Sequence, residues 1–586
     1  MKPLFPLLLA TTAFYAQSEV RYQLRMTEPA HHLAEVTMTL PATEAESLTL
    51  KLPVWRTGRY EILDQANGIR SFRARTLDGQ AMAVSKLDKS SWQIQGSRDQ
   101  AIEVSYQLYA NRLAERVHHI DDSHAFIDAS GAFMYADQLR QEPVSVSLEV
   151  PQGWRSVSGM EATGEHSFKA DNYDVLVDSP IESGIHEDYR FRVDGRDYEL
   201  VIWGEGNHDG EAMVADLKKL VASADAIWSG YPFDRYVFMV HATSGARGAT
   251  EHLNSTIIQR HRFAFAPREN YLGFISTAAH EFVHTWNVKA YRPQGLVPYD
   301  YQQENYSTLL WLSEGSTSYL QDQLLLRSGV MTVDEYLVNL GKKAQAHLAT
   351  PGREVQSVSE ASFDSWIETG GDYGRNHSVN IYSEGYLVSW LLDAKLLADS
   401  DNRHSYRQLH DRLYQGYRVP GTFNDADVLK ELKALSGRDY GAFWREHVQA
   451  PSPVDFDALL AQFGLELKRE EAQAFLGATL DDSQLPGTLV AVEKGSPAWQ
   501  AGLTPGDVLV AWNGLRLAPG TLEARLKEAK AGETIELALF RRDRLIRLPV
   551  TLGERAGKFS VVAVDKPSKA QKRAFKAWIG LDHPKA

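Results

Sequence analysis

The sequence predicts a multidomain α+β protein with an N-terminal antiparallel β domain, an α-rich middle and a small C-terminal β module. Its 586 residues exceed what one core accommodates, and at about 150 residues per domain leave room for three or four. The apolar pattern also changes period along the chain. It alternates every second residue to about position 193, turns helical between about 270 and 446, and returns to short strands in the last hundred. Turn signals such as Asp78-Gly79, Pro151-Gln152-Gly153 and Asp194-Gly195 separate the early strands.

Taken in order, Met1-Lys2, the apolar stretch 3–10 and the small residues 10–13 resemble an export signal. Residues 1–17 are therefore assigned to a signal peptide and the protein to the periplasm or the exterior, a cytoplasmic chain with an apolar first strand being the alternative. Alternating runs at 21–26, 34–40, 47–52 and 101–108 place a β-sandwich-like domain at 18–190. Strands at 198–203 and 236–241, with a helix near 210–228, open a second domain at 191–455. Its helical faces fall at 271–288, 307–326, 333–348 and 382–397. Strands at 489–492, 507–512 and 534–540 define a third domain at 456–556. The remainder, 557–586, reads as a polar tail whose Lys566, Lys569, Lys572, Arg573 and Lys576 form a solvated helix face. Beyond the N-terminus no segment approaches the 18 or so apolar residues of a membrane helix, so no integral membrane segment is expected in the mature chain.

Composition removes whole classes of chemistry. With no cysteine there is no disulfide, no thiolate metal site and no thiol nucleophile. A net charge of −14 opposes binding to a phosphate backbone, and nucleic acid is not an expected partner. Neither a G-x-S-x-G elbow nor a phosphate-binding P-loop occurs.

The chemistry lies in His280-Glu281-Phe282-Val283-His284, an H-E-x-x-H inside a helical run. Residues four apart share a helix face, so both imidazoles can reach one zinc ion. Glu281, one position on, is placed to act as general base on a water. Phe274, Ile275, Phe282, Val283 and Trp286 surround the motif, and polar groups among them would be costly to bury without a function. A third ligand must come from elsewhere, because positions 287 and 290 are Asn and Ala rather than the Gly and His of the metzincin pattern. The candidates are Asp300, Glu304 and Glu314. The first two lie in a polar loop-like stretch. Glu314 lies in a strongly apolar helix, where a carboxylate needs a cation or hydrogen-bond donors, and is preferred.

Together, His280 to Asn287 and Trp311-Leu312-Ser313-Glu314-Gly315 resemble gluzincin aminopeptidases, above all the glycyl aminopeptidase family (peptidase family M61) and more distantly the aminopeptidase N family. The resemblance implies an N-terminal β domain, a thermolysin-like catalytic domain and a PDZ domain. It also implies one zinc ion per chain held by His280, His284 and Glu314. Residues 248–256, Gly-Ala-Thr-Glu-His-Leu-Asn-Ser-Thr, resemble the family's G-G-x-E-H-x-x-S-T stretch. By that likeness Gly248, Ala249 and Glu251 bind substrate, the glutamate taking its free α-amino group; Ala249 and Thr250 depart from the pattern. Ile381 to Gly385 resemble the family's Y-x-K-G segment, which assigns Tyr382 to the oxyanion, with Glu384 where the family often has Lys.

Residues 501–514 resemble the PDZ signature A-G-L-x-x-G-D-x-I-x-x-x-N-G, and Asn513-Gly514 is a hairpin signal. Leu476, Gly477 and Ala478 match the loop that receives a peptide's terminal carboxylate. Such a module binds peptide C-termini or serves only as packing. The expected activity is zinc-dependent aminopeptidase action on peptides, favouring small N-terminal residues such as Gly or Ala. A PDZ-assisted endopeptidase or oligopeptidase and an inactive peptide-binding scaffold are the alternatives.

Overall fold

The computed structural model describes residues 18–114, 117–367, 370–481, 485 and 487–585. The predicted export segment 1–17 lies outside them. Two compact units emerge. The first holds the described residues to Arg59 and Leu63–His186; the second holds Tyr60–Ile62 and everything from Glu187 onward.

The first unit is β-rich. Its largest sheet runs in the order Glu161–Gly164, Ser167–Ala170, Val144–Glu149, Val20–Glu28, Leu33–Leu40, Ile102–Tyr109, Ile69–Thr76. Alternation is the cause: along Leu33–Leu40 every second residue (Ala34, Val36, Met38, Leu40) is buried. One pair departs from the antiparallel expectation. Val20–Glu28 runs parallel to Val144–Glu149, which the long intervening chain permits where a tight hairpin would not.

The second unit begins with a five-stranded sheet ordered Glu187–Val193, Arg196–Trp203, Arg235–Ala242, Ser255–Arg260, Gly248–Glu251. Its three central strands are parallel. The last strand returns antiparallel at the end of the sheet, with Thr250 and Glu251 buried. Four helices follow that matter for chemistry: Arg268–His284, Leu310–Arg327, Val333–Leu348 and Ile381–Asp399. Among the described residues no helix is long and apolar enough to cross a membrane.

Helix Arg268–His284 is anchored by its aromatic end. Phe282 meets Tyr236 edge-on at 5.2 Å, and just beyond the helix Trp286 stacks on Trp228 at 4.4 Å and donates to the Gly230 carbonyl. The helix stops at His284, four residues before the predicted end. There the backbone turns through Val288, whose φ of 116° is a strained value for a β-branched residue. That turn brings the Asn287 carbonyl back to His284 Nδ1 at 2.8 Å.

Helices Leu310–Arg327 and Ile381–Asp399 cross at a pair of glycines. A Cβ on Gly315 would lie 2.4 Å from Gly385 Cα, and one on Gly385 would lie 2.8 Å from the Trp311 carbonyl oxygen. No other residue allows so close a crossing. The C-terminal module is a six-stranded sheet that includes Ala478–Asp481, Thr488–Val492, Val508–Trp512, Thr534–Arg541 and Arg544–Thr551 around Leu476, Leu489, Leu509, Leu537 and Val550. Asp507, fully buried, receives two hydrogen bonds from Arg541. Residues 557–586, expected as a polar tail, instead supply strand Phe559–Ala563, paired with Leu465–Arg469, and helix Lys569–Ile579. The lysine face of that helix is solvated, while Phe575, Trp578 and Ile579 are buried.

Substituting Gly315→Ala should push the two helices apart and cost about 1–3 kcal/mol, the usual price of overpacking. Urea unfolding checks this, and an unchanged midpoint would show that the crossing tolerates a methyl.

Candidate metal centre and substrate cleft

The sequence-selected ligands meet. His284 Nε2 lies 3.0 Å from His280 Nε2 and 3.3 Å from Glu314 Oε2, and His280 Nε2 lies 3.8 Å from the same oxygen. Three atoms disposed tetrahedrally at about 2.0–2.1 Å from zinc stand about 3.3 Å apart, so the spacing suits that ion. Asp300 and Glu304 join no such cluster among the described residues. Asp300 accepts hydrogen bonds from Gln302 and Gln303 within its own loop.

Hydrogen bonds behind the imidazoles determine which ring nitrogens face the centre. His280 Nδ1 is 2.9 Å from Gln321 Oε1, and His284 Nδ1 is 2.8 Å from the Asn287 carbonyl. Both oxygens are acceptors, so each Nδ1 carries hydrogen and each Nε2 presents a lone pair inward. Two lone pairs and a buried carboxylate facing one another require a cation or a proton between them. The donor set therefore fits a zinc ion.

Electrostatics agree. Burial alone would raise Glu314, yet His284 and His280 outweigh it and hold the carboxylate ionised. Burial pulls His284 down, but Glu314, with Glu251 and Glu281, overcomes it and pushes the imidazole up to about 9. His280 is lowered by burial and the neighbouring imidazole. Without a metal, one proton would be held between the two rings.

Asn287 and Tyr60 were not legible as site residues. The Asn287 side-chain amide donates to the carbonyls of Leu312 and Ser313 and to Thr317 Oγ1, joining the end of the H-E-x-x-H segment to the helix that bears Glu314. Tyr60, in the short segment that clusters with the second unit, donates to Glu314 Oε1 at 3.2 Å. No local pattern marks a tyrosine so distant along the chain.

The other predicted residues gather around this centre. Ligand-type atoms of Glu251, Glu281 and His284 lie within 4.8 Å of one another, with Glu251 and Glu281 both buried. Glu251 is not a lone acid, because buried Lys289 brings its Nζ to 3.9 Å. Tyr382 sits in the first turn of its helix, where Asn380 Oδ1 caps its N–H, and its ring stands 5.9 Å from that of His280. The residue is 39% exposed. Desolvation about its hydroxyl, with Glu314, Glu251 and Glu281 close by, keeps the phenol protonated well above its ordinary range. Glu384 turns away to a buried pair with His347. A cleft of about 660 Å³ runs past Gly248, Ala249, His280, Glu281 and Tyr382.

Leu476, Gly477 and Ala478 lie apart from the centre, at the start of edge strand Ala478–Asp481 in the C-terminal module. Gly477 has φ of 80°, and a Cβ there would strike Ser496. The adjoining strand is bound to the short helix Gly371–His377: Val492 N donates to Asp372, and Asn376 exchanges bonds with the Val492 carbonyl and Lys494 N.

Comparison with known proteins accords with this geometry. Residues 21–185 match the peptidase M61 N-terminal domain, 273–388 the M61 glycyl aminopeptidase, and 488–539 a PDZ domain. The fold is similar to that of an aminopeptidase N family protein from Idiomarina loihiensis, with a TM-score of 0.89 at 27% identity over 96% of this chain and 100% of that one. An M1 zinc metallopeptidase from Deinococcus radiodurans is more remote, with a TM-score of 0.46 at 13% identity over 72% and 90%. Among curated proteins none matches. The resemblance to the M61 family and the multidomain α+β class are borne out, and the protein is similar to peptidases.

A proton on a His284 raised to about 9 must leave when zinc binds. In the metal-free fold that proton stabilises below the ordinary histidine value near 6.5 and its contribution disappears as pH rises through 9. Zinc affinity should therefore climb about tenfold per pH unit from 7 toward 9 and then level. Chelator competition across that range measures it, and a flat profile would mean that no proton is displaced.

Proposed function

We propose that the protein is a zinc-dependent aminopeptidase that hydrolyses the N-terminal peptide bond of peptides, favouring small first residues such as Gly or Ala. One observation carries the aminopeptidase register: the Glu251 carboxylate lies within 4.8 Å of the ligand-type atoms of Glu281 and His284. An ammonium paired with Glu251 puts the first peptide bond beside the base. An enzyme cutting mid-chain has no use for such an anchor. The family matched over residues 273–388 supports the small-residue preference.

When bound by His280, His284 and Glu314, one zinc ion per chain would supply Lewis acidity toward a water and the scissile carbonyl. The chain's own groups do the rest. Glu281 accepts the proton of the attacking water and delivers it to the leaving amine. Tyr382 donates its phenolic hydrogen to the developing oxyanion, a contribution of about 2.7–4 kcal/mol for one such donor. Edge strand Gly248–Glu251 offers main-chain groups to an extended substrate, and Lys289 steadies the Glu251 carboxylate. In the C-terminal module, strand Ala478–Asp481 is the proposed seat for a peptide C-terminus. Export rests on residues 1–17 alone.

Two variants separate the roles. Glu281→Gln should retain zinc at one ion per chain by metal analysis and lose at least about a hundredfold in kcat, as removal of a general base does; retained turnover removes Glu281 as the base. Glu251→Ala should lower kcat/KM on Gly- and Ala-anilides far more than on their N-acetylated forms. Equal losses on the two series would count against the exopeptidase register.

A further inference from the structure

The cleft contains two cations that the proposed chemistry does not use. Arg247 and Arg260 both line it, in a protein whose net charge is −14. Among the described residues neither has a carboxylate partner within ion-pair distance, whereas Arg235 and Arg268 do.

Their placement is built into the hairpin. Gly248 pairs with Gln259 across strands Gly248–Glu251 and Ser255–Arg260. Arg247 and Arg260 each lie one residue past that pair, at the same end of the hairpin. Arg260 is held: its Nη1 donates to Thr277 Oγ1 at 3.3 Å, on the helix turn preceding His280. Its Nη2 lies over Gly273, where a Cβ would stand 2.8 Å away. The guanidinium thus rests on the H-E-x-x-H helix, over Gly273 and against Thr277. Burial, and then the charge of Arg247, pull the Arg260 guanidinium below its ordinary range. Two cations brought together without an acid leave a place for an anion.

The identity of that anion follows from the strand. A peptide anchored by its ammonium at Glu251 and lying antiparallel beside Gly248–Glu251, the last strand of its sheet, runs toward Arg247. Four residues at about 3.4 Å each make about 14 Å, and a guanidinium reaches back several ångströms of that. We infer that Arg247 and Arg260 form a carboxylate-binding end of the cleft, so that the preferred substrates are peptides bearing a carboxylate about three or four residues from the N-terminus. That carboxylate is either the terminal group of a short peptide or an acidic side chain of a longer one. The inference rests on the aminopeptidase register proposed above.

The test compares Gly-Ala-Ala, its C-terminal amide and Gly-Ala-Asp amide on the zinc enzyme, and measures their binding to zinc-loaded Glu281→Gln by calorimetry. The free acid should exceed the amide at least tenfold in kcat/KM and in affinity. Arg247→Gln/Arg260→Gln, and Arg247→Gln alone in case the double variant folds poorly, should shrink that ratio toward unity. Recovery with Gly-Ala-Asp amide supports the site with side-chain carboxylates among its ligands; preference for the free acid alone supports it with the terminal group as ligand. Equal affinity for acid and amide overturns the inference even if both are cleaved. Preferential binding without turnover of any free-amine peptide supports the carboxylate end and counts against the aminopeptidase register alone.

Discussion

Everything at the centre depends on holding three electron-rich atoms closer together than they would stay unaided. Two imidazole nitrogens 3.0 Å apart and a carboxylate oxygen 3.3 Å from one of them repel unless a positive charge lies between. Burying such a carboxylate costs several kcal/mol without that charge. The surrounding structure is arranged to keep the arrangement from relaxing. Gln321 and the Asn287 carbonyl orient the rings, and the Asn287 amide locks one helix to the next. The glycine crossing at 315 and 385 sets how near the glutamate helix lies to the one that bears Tyr382 in its first turn. The strained turn at Val288 is explained by the same need, since it returns a carbonyl to His284.

The cleft divides its labour between a sheet edge and three helices. Gly248–Glu251 is the last strand of its sheet, the position at which an extended peptide adds to a sheet. Helices contribute His280, Glu281, Ser318, Gln321 and Tyr382 to the lining of the cleft. Glu251 lies where the two meet, at the end of the strand and beside Glu281. The paired Lys289 keeps two neighbouring carboxylates from being an uncompensated cluster. Arg247 and Arg260 stand at the opposite end of the same strand pair, so the hairpin presents a carboxylate at one end and two cations at the other. That polarity matches the two termini of a short peptide.

The C-terminal part of the chain is integrated into this scaffold. Trp578 stacks on Trp390, donates to Tyr319, and receives Arg327 at its carbonyl. Tyr319 in turn donates to buried Asp393, so this helix ties together the two that bear Glu314 and Tyr382. Strand Thr488–Val492 of the PDZ-like module is bound to helix Gly371–His377, which ends shortly before Asn380 and Tyr382.

Periodicity made the order of β-rich, helical and β-rich regions legible, because alternation and the 3.6-residue repeat are written locally. The H-E-x-x-H pair was equally legible, since residues four apart on one helix must share a face whatever surrounds them. Glu314 was legible more indirectly, as a carboxylate in an apolar helix that nothing nearby would neutralise. Asn287, Lys289, Tyr60 and the arginines gave no such signal. Their significance comes from partners brought near by folding, and an amide, a lysine or a tyrosine in a loop looks the same with or without them. Residues 557–586 read as a polar tail with a solvated helix face because basic residues cluster at 566–576, while Phe575, Trp578 and Ile579 on the other side of that helix do the packing. The sequence by itself thus determined the fold class, the ligand types and their helical spacing, all consequences of short-range geometry. How near Glu314 comes to the imidazoles, which amide locks the centre and where the cleft ends were decided by tertiary packing, because contacts between residues far apart along a chain exist only once the helices and sheet have closed on one another.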